Sequence, residues 1–143
     1  MKDTNNKLDY NVWSAGEYNN NYNGFSGGSE ALIQVNNIFS NIGESSLKIT
    51  RKHELYGTSC FTRLSNLTGT NNITATLIIY SPNNDVGINL FNGSVLTSIN
   101  CPASSTLSHV SLSCLVNSNY VDLRIFLNNP NDYVFIDNIN IAY

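Results

Sequence analysis

The stretch Tyr133-Val134-Phe135-Ile136-Asp137-Asn138-Ile139-Asn140-Ile141-Ala142-Tyr143 decides how the rest of the chain is read. Its apolar residues are β-branched or aromatic, types that suit a half-buried pleated surface. Asp137 stands among them, and an acid inside an apolar strand is costly unless it is paired, hydrogen-bonded or bound to a cation. Two registers are open. Unbroken alternation puts Tyr133, Phe135, Asp137, Ile139 and Ile141 on one face. A one-residue bulge at Asp137-Asn138 puts Val134, Ile136, Ile139 and Ile141 together instead.

Upstream, apolar residues recur at period two and turn residues punctuate the chain every ~8–12 residues, the pattern of an all-β sandwich or barrel. The clearest strand is Ile73 to Tyr80, with Ile73, Ala75, Leu77 and Ile79 facing inward. Val86, Ile88 and Leu90 form the next, Asn92-Gly93 is a hairpin signal, and Val95 to Ile99 returns from it. His109 to Val116 turns Val110, Leu112, Cys114 and Val116 inward, and Tyr120 to Leu127 does the same with Val121, Leu123, Ile125 and Leu127. Earlier strands are read at Lys7 to Trp13, Ala31 to Val35, Ser45 to Arg51 and Thr58 to Leu64. Tyr18 to Ser29, rich in Asn, Gly, Ser and Tyr, reads as a loop. About ten such strands predict an antiparallel two-sheet β-sandwich, one domain over residues 1–143.

Charged residues make up only 12% of the chain and the net charge is −3. Nucleic-acid binding needs a basic stripe to neutralise phosphates, and an electrostatic membrane anchor needs a basic cluster; neither is present. No run approaches the ~20 apolar residues of a spanning helix, and Met1 to Lys7 holds no apolar signal core. Asn, Ser and Thr supply the polarity, which suits a neutral hydrogen-bonding ligand; AT-rich coding produces the same Asn excess. The three cysteines allow at most one disulfide. No Cys-x-x-Cys favours zinc, and Cys60 and Cys114 fall in strand patterns as small buried hydrophobes. Sequons at Asn66, Asn72 and Asn92 are compatible with an extracellular or cell-surface chain.

A second stretch, Gly43-Glu44-Ser45-Ser46-Leu47-Lys48-Ile49, belongs with the closing one. The pair resembles carbohydrate-binding modules of the jelly-roll type, around families four, nine, sixteen and twenty-two. Those modules carry a Gly-x-x-Ser-Leu-Lys-(Ile/Val) strand early and close on an aromatic-(Ile/Val)-Asp-(Asp/Asn)-(Ile/Val)-x-(Ile/Leu) strand, here Phe135 to Ile141. The resemblance implies a jelly roll with one open, concave sheet carrying a groove for an oligo- or polysaccharide. It also implies an aromatic at the groove rim, which Tyr56 before Gly57 matches. A structural calcium is implied as well, held by Asp137, by Glu44 and the Lys48 carbonyl, and by an acid of the first strand. The family's usual Phe-Glu pair is absent there, so Asp9 or Glu17 stands in. Without a metal, Asp137 is paired by Lys48 or capped by backbone N–H groups.

The outward faces carry the remaining chemistry. Arg63, Tyr80, His109, Tyr120, Asp122, Arg124 and Phe126 all lie opposite the apolar face of their strand. If several share one sheet, they form a patch in which rings cover the apolar face of a pyranose and polar groups meet its hydroxyls. The plainer reading is a solvated face with Arg124 paired to Asp122 or to a neighbouring strand. Trp13 reads as a core plug. Nucleophile elbow, zincin and phosphate-loop motifs are missing, and Asp122 with Glu54 or Asp132 is no recognised carboxylate pair for glycoside hydrolysis. The expectation is a non-catalytic glycan-binding module, monomeric within a longer secreted or cell-surface chain. A structural or adhesive β-sandwich domain without a sugar site is the alternative, and a small hydrolase comes third.

Overall fold

The computed structural model describes residues 46–51 and 61–143 with their side chains, and the strand backbone of Cys60 and of five N-terminal segments. Those segments are β1 (Lys7–Asp9), β2 (Tyr18–Asn19), β3 (Asn21–Tyr22), β4 (Phe25–Ser26) and β5 (Ala31–Asn36). The alternating stretches become β6 (Ser46–Arg51), β7 (Cys60–Ser65), β8 (Asn71–Tyr80), β9 (Val86–Phe91), β10 (Val95–Cys101), β11 (Ser108–Val116), β12 (Tyr120–Leu127) and β13 (Tyr133–Ala142). Among the described residues there is no helix.

Two antiparallel sheets form. In sheet A the order is β11-β8-β13-β6-β5-β2, with β1 also on β13; in sheet B it is β10-β9-β12-β7-β4-β3. From β6 onward the chain crosses between sheets at almost every step, the hairpin β9–β10 being the exception. This is the all-β jelly-roll sandwich. Inward residues of both sheets, among them Leu47, Ile49, Ile73, Ala75, Ile79, Ile88, Leu90, Leu123, Ile125 and Ile136, meet in one core. Each fully buried Leu or Ile contributes roughly 1.5–3 kcal/mol relative to exposure. Cys101 and Cys114 are free thiols against this core, and burial pushes both thiols up.

The closing strand takes the bulged register. Asp137 pairs with Ile78 and Asn140 with Thr76, so Asn138 and Ile139 share the place opposite Leu77. Asn138 has φ 52°, a left-handed conformation that Asn tolerates better than most side chains. The bulge brings Val134, Ile136, Ile139 and Ile141 to one face, all at 0% exposure. On the flank away from β8, β6 pairs with Tyr133 to Ile136 and β1 with Asn140 to Ala142. The ladder therefore breaks at Asp137–Ile139, between the Ser46 end of β6 and the Asp9 end of β1.

Two local features add to the sequence reading. Tyr18 to Ser29 holds three short strands, not a plain loop. Tyr22 pairs with Phe25 across Asn23-Gly24, the dipeptide of tight hairpins, a signal that a reading by composition passes over. Arg51, beyond the apolar residues of β6, donates from Nη1 to the carbonyls of Leu127 at 2.7 Å and Asn128 at 2.8 Å. It thereby clamps the end of β12, in sheet B, to β6, in sheet A.

Candidate functional site

β12 runs through sheet B between β9 and β7. Val121, Leu123, Ile125 and Leu127 are committed to the core, so the pleat turns Tyr120, Asp122, Arg124 and Phe126 outward. Register then decides their neighbours. On the β9 side Phe91 lies opposite Asp122, Asn89 opposite Arg124 and Gly87 opposite Phe126. On the β7 side Ser65, Arg63 and Phe61 lie opposite Tyr120, Asp122 and Arg124.

The result is a face on which guanidinium groups alternate with rings. Arg63 lies 4.2 Å from the Tyr120 ring centroid and 5.8 Å from that of Phe61. Arg124 lies 4.1 Å from the Phe91 centroid and 5.1 Å from that of Phe126. Arg63 also donates from Nε to Asp122 Oδ1 at 2.7 Å and from Nη2 to Oδ2 at 2.9 Å. That hydrogen bond holds the Arg63 guanidinium above its ordinary pKa, against the opposing effect of burial. Arg124 differs: among the described residues it makes no hydrogen bond or ion pair, only its ring contacts. Beside it Asn89 is 7% exposed and its side-chain carbonyl oxygen has no partner. A buried acceptor left unmade costs about 1–3 kcal/mol.

The expected patch is divided by the fold. Arg63, Asp122 and Arg124 share sheet B, together with Tyr120 and Phe126. Tyr80 and His109 do not join them, because β8 and β11 belong to sheet A and their outward side chains point away on the opposite side of the sandwich. There Tyr80 packs on Phe135 at 6.1 Å between centroids, Phe135 meets Tyr133 edge-on at 5.7 Å, and the Lys48 ammonium lies 4.6 Å from the Tyr133 centroid. His109 lines a shallow depression of about 200 Å³ with Thr76, Ile78, Ser111 and Asn138. Tyr56 lies outside the described residues. Phe91 and Asn89 belong to the sheet B face though no sequence pattern singles them out; the available signal is Asn89's position between the inward Ile88 and Leu90.

Asp137 is fully buried on the outward face of sheet A and accepts a hydrogen bond from the Asn138 N–H at 2.8 Å. Of the two metal-free readings, the Asn138 N–H supplies the backbone cap, while the Lys48 ammonium is over the rings of Tyr133 and Phe135. Ser46, whose place continues the β6–β13 register toward Asp137, is also fully buried, and its hydroxyl has no partner. Carboxylate and hydroxyl oxygens are donors that suit a hard cation. Among the described residues no group of three or more His, Cys, Asp or Glu is assembled. The Asp9 backbone pairs with Asn140, while its side chain, Glu44 and Glu17 lie outside the described residues. The other acids considered for hydrolysis are occupied or undescribed. Asp122 is closed on Arg63, Asp132 accepts from the Asn129 N–H at 3.0 Å, and Glu54 lies outside the described residues.

No protein-family model matches the chain, and no curated protein matches it by sequence. Solved structures do match in fold. The C-terminal family 22 carbohydrate-binding module of Clostridium thermocellum Xyn10B superposes with a TM-score of 0.66 at 10% identity, over 99% of this chain and 96% of that one. The second family 22 xylan-binding domain of Paenibacillus barcinonensis Xyn10C gives 0.66 at 10% identity, over 95% and 97%. The N-terminal module pair of the Clostridium thermocellum xylanase 10B, solved with xylohexaose, gives 0.62 at 11% identity over 80% of this chain, which spans only 25% of that one. The fold is that of the jelly-roll carbohydrate-binding modules.

Proposed function

We propose that this chain is a non-catalytic glycan-binding module and that the outward face of sheet B is its binding surface. The observation that carries the reading is the alternation of the half-buried Phe61, Phe91, Tyr120 and Phe126 with Arg63 and Arg124 on one outward face. Ring faces cover the C–H face of a pyranose, and amide and guanidinium groups take its hydroxyls. Similar solved structures are xylan-binding domains, so a β-linked plant polysaccharide is the first ligand to try. Their attachment to a glycosidase in one case supports a role as one domain of a longer extracellular chain.

The role is binding without catalysis. The one described carboxylate on the face, Asp122, has both oxygens engaged by Arg63, which leaves it unsuited to acid or base work. The engaged ion pair is also what a merely structural face would show. The open Arg124 and the unpartnered Asn89 oxygen favour the ligand reading over that alternative. A structural calcium at the break in the β13 ladder completes the proposal: Asp137 would supply its carboxylate and Ser46 its hydroxyl.

Affinity electrophoresis and calorimetry against a panel of plant and microbial polysaccharides test the reading. Binding to at least one glycan, weakened about 5- to 30-fold in Phe91→Ala, is expected. Failure to bind any glycan, with the protein shown to be folded, overturns it in favour of a structural domain.

A further inference from the structure

We propose that the sheet B face selects a glycan bearing a carboxylate, a sugar acid whose carboxyl group pairs with Arg124 while a neighbouring hydroxyl donates to Asn89. This rests on the reading of that face as a glycan site. Of the two arginines on the face, Arg63 has its charge matched by Asp122 through both oxygens. Arg124 has no carboxylate or hydrogen-bond partner among the described residues. Among the described residues this face thus keeps one unmatched positive charge, although the whole chain carries −3. General attraction of a polyanion is therefore weak, and selectivity has to come from the site.

The geometry fits a carboxylate. Phe91 and Phe126 flank the Arg124 guanidinium at 4.1 and 5.1 Å. Ring stacking uses the faces of a guanidinium and leaves the in-plane N–H donors available, in the fork that matches a carboxylate with two parallel hydrogen bonds. Asn89, directly opposite Arg124 in register, has a side-chain carbonyl oxygen that is unpartnered and closed to solvent, so a ligand hydroxyl reaches it by displacing the side chains that cover it. A cation for an acid beside an acceptor for a hydroxyl complements the carboxylate and hydroxyl that a uronic acid residue presents. Gly87, the next outward position of β9, adds no side chain, and a Cβ there would stand 3.3 Å from that of Phe126. The floor beside Phe126 therefore stays low enough for a sugar ring to approach.

The test compares a xylan oligosaccharide carrying glucuronic acid with its carboxyl-reduced counterpart and with a sulfated oligosaccharide, by calorimetry at low and moderate salt. The acid form should bind at least about tenfold tighter than the reduced form, the factor that a single charge-assisted pair supplies, and that preference should shrink as salt rises. Arg124→Gln should bring the two forms to equal affinity. Asn89→Asp, which gives Arg124 a built-in carboxylate, should also erase the preference by weakening the acid form more than the reduced form; it serves as the second variant if Arg124→Gln fails to fold. Equal binding of acid and reduced forms by the wild type overturns the proposal and leaves the glycan-binding reading standing. Preference for the sulfated ligand over the uronate overturns it too. Absence of binding to all three, and to the wider panel, overturns both readings.

Discussion

Arg63 and Asp122 face each other across the β7–β12 ladder and close two parallel hydrogen bonds, yet the pair is lopsided: the arginine side chain is 48% exposed and the carboxylate side chain 6%. Removing the arginine strands a buried charge, whereas removing the acid leaves a guanidinium that water can still solvate. Arg63→Ala should therefore lower stability by about 3 kcal/mol, and Asp122→Asn by less than ~1 kcal/mol. Urea unfolding of the two variants measures the difference. Equal losses would mean that the pair acts as an ordinary surface bridge.

Binding should map to one side of the sandwich. Phe91→Ala and Tyr120→Ala each remove a ring from the sheet B face and should weaken glycan binding by about 1–2 kcal/mol, the area term for a lost platform. Tyr80→Ala and His109→Ala, on sheet A, should leave affinity unchanged. Calorimetry on the four variants decides the matter, and a loss confined to Tyr80→Ala would move the site to the other sheet.

How far the sequence disclosed this follows from what alternation encodes. Period-two patterning tells inward from outward, and so it found Arg63, Asp122, Arg124, Tyr80 and His109 as outward residues. It does not tell which of two sheets a strand joins. Because β7 through β13 cross between sheets at nearly every connection, equal parity on β8 and β12 means opposite sides of the molecule. Only long-range pairing separates Tyr80 from Arg124. The bulge at Asn138, in contrast, was legible as one of two registers, since only that one gathers Val134, Ile136, Ile139 and Ile141.

That bulge has a backbone requirement that can be tested. With φ at 52°, Asn138→Gly should be close to neutral, while Asn138→Ile should cost about 1–3 kcal/mol, the price of forcing a β-branched residue into a left-handed conformation. Thermal melting of both variants checks it. A tolerated isoleucine would mean that the strand can slip into unbroken alternation.

Metal dependence is the next expectation. If calcium sits at the ladder break beside Asp137 and Ser46, chelator should lower the melting temperature, by the equivalent of about 2.7 kcal/mol when the ion had been at 100 times its dissociation constant. Asp137→Asn should abolish the response. A melting curve unchanged by chelator, on protein verified to have held metal, argues that Asp137 is satisfied by hydrogen bonds alone.

The thiols give a pH test. Burial raises the folded-state pKa of Cys101 above its ordinary value near 9.0. The sign follows: the unfolded thiol ionises first, so the stabilisation is complete below that value and is lost as pH rises through the higher folded-state one. Cys101→Val should lose less stability than the wild type between neutral and strongly alkaline pH. Native Cys101, 7% exposed, should also resist iodoacetamide until denaturant is added.

The position of β13 has a consequence for how the molecule is made. It is the last of these strands to leave the ribosome, yet it lies between β8 and β6 and joins them. Until it emerges, sheet A exists as separate pieces, β11–β8, β6–β5–β2 and β1, with no ladder between them. Pairings that wait for distant partners slow folding and leave edges exposed. A nascent chain stalled short of Tyr133 therefore exposes the edges of β8 and β6 that β13 would otherwise cover, and is the stage at which chaperone capture or misassembly with a second chain is most favoured.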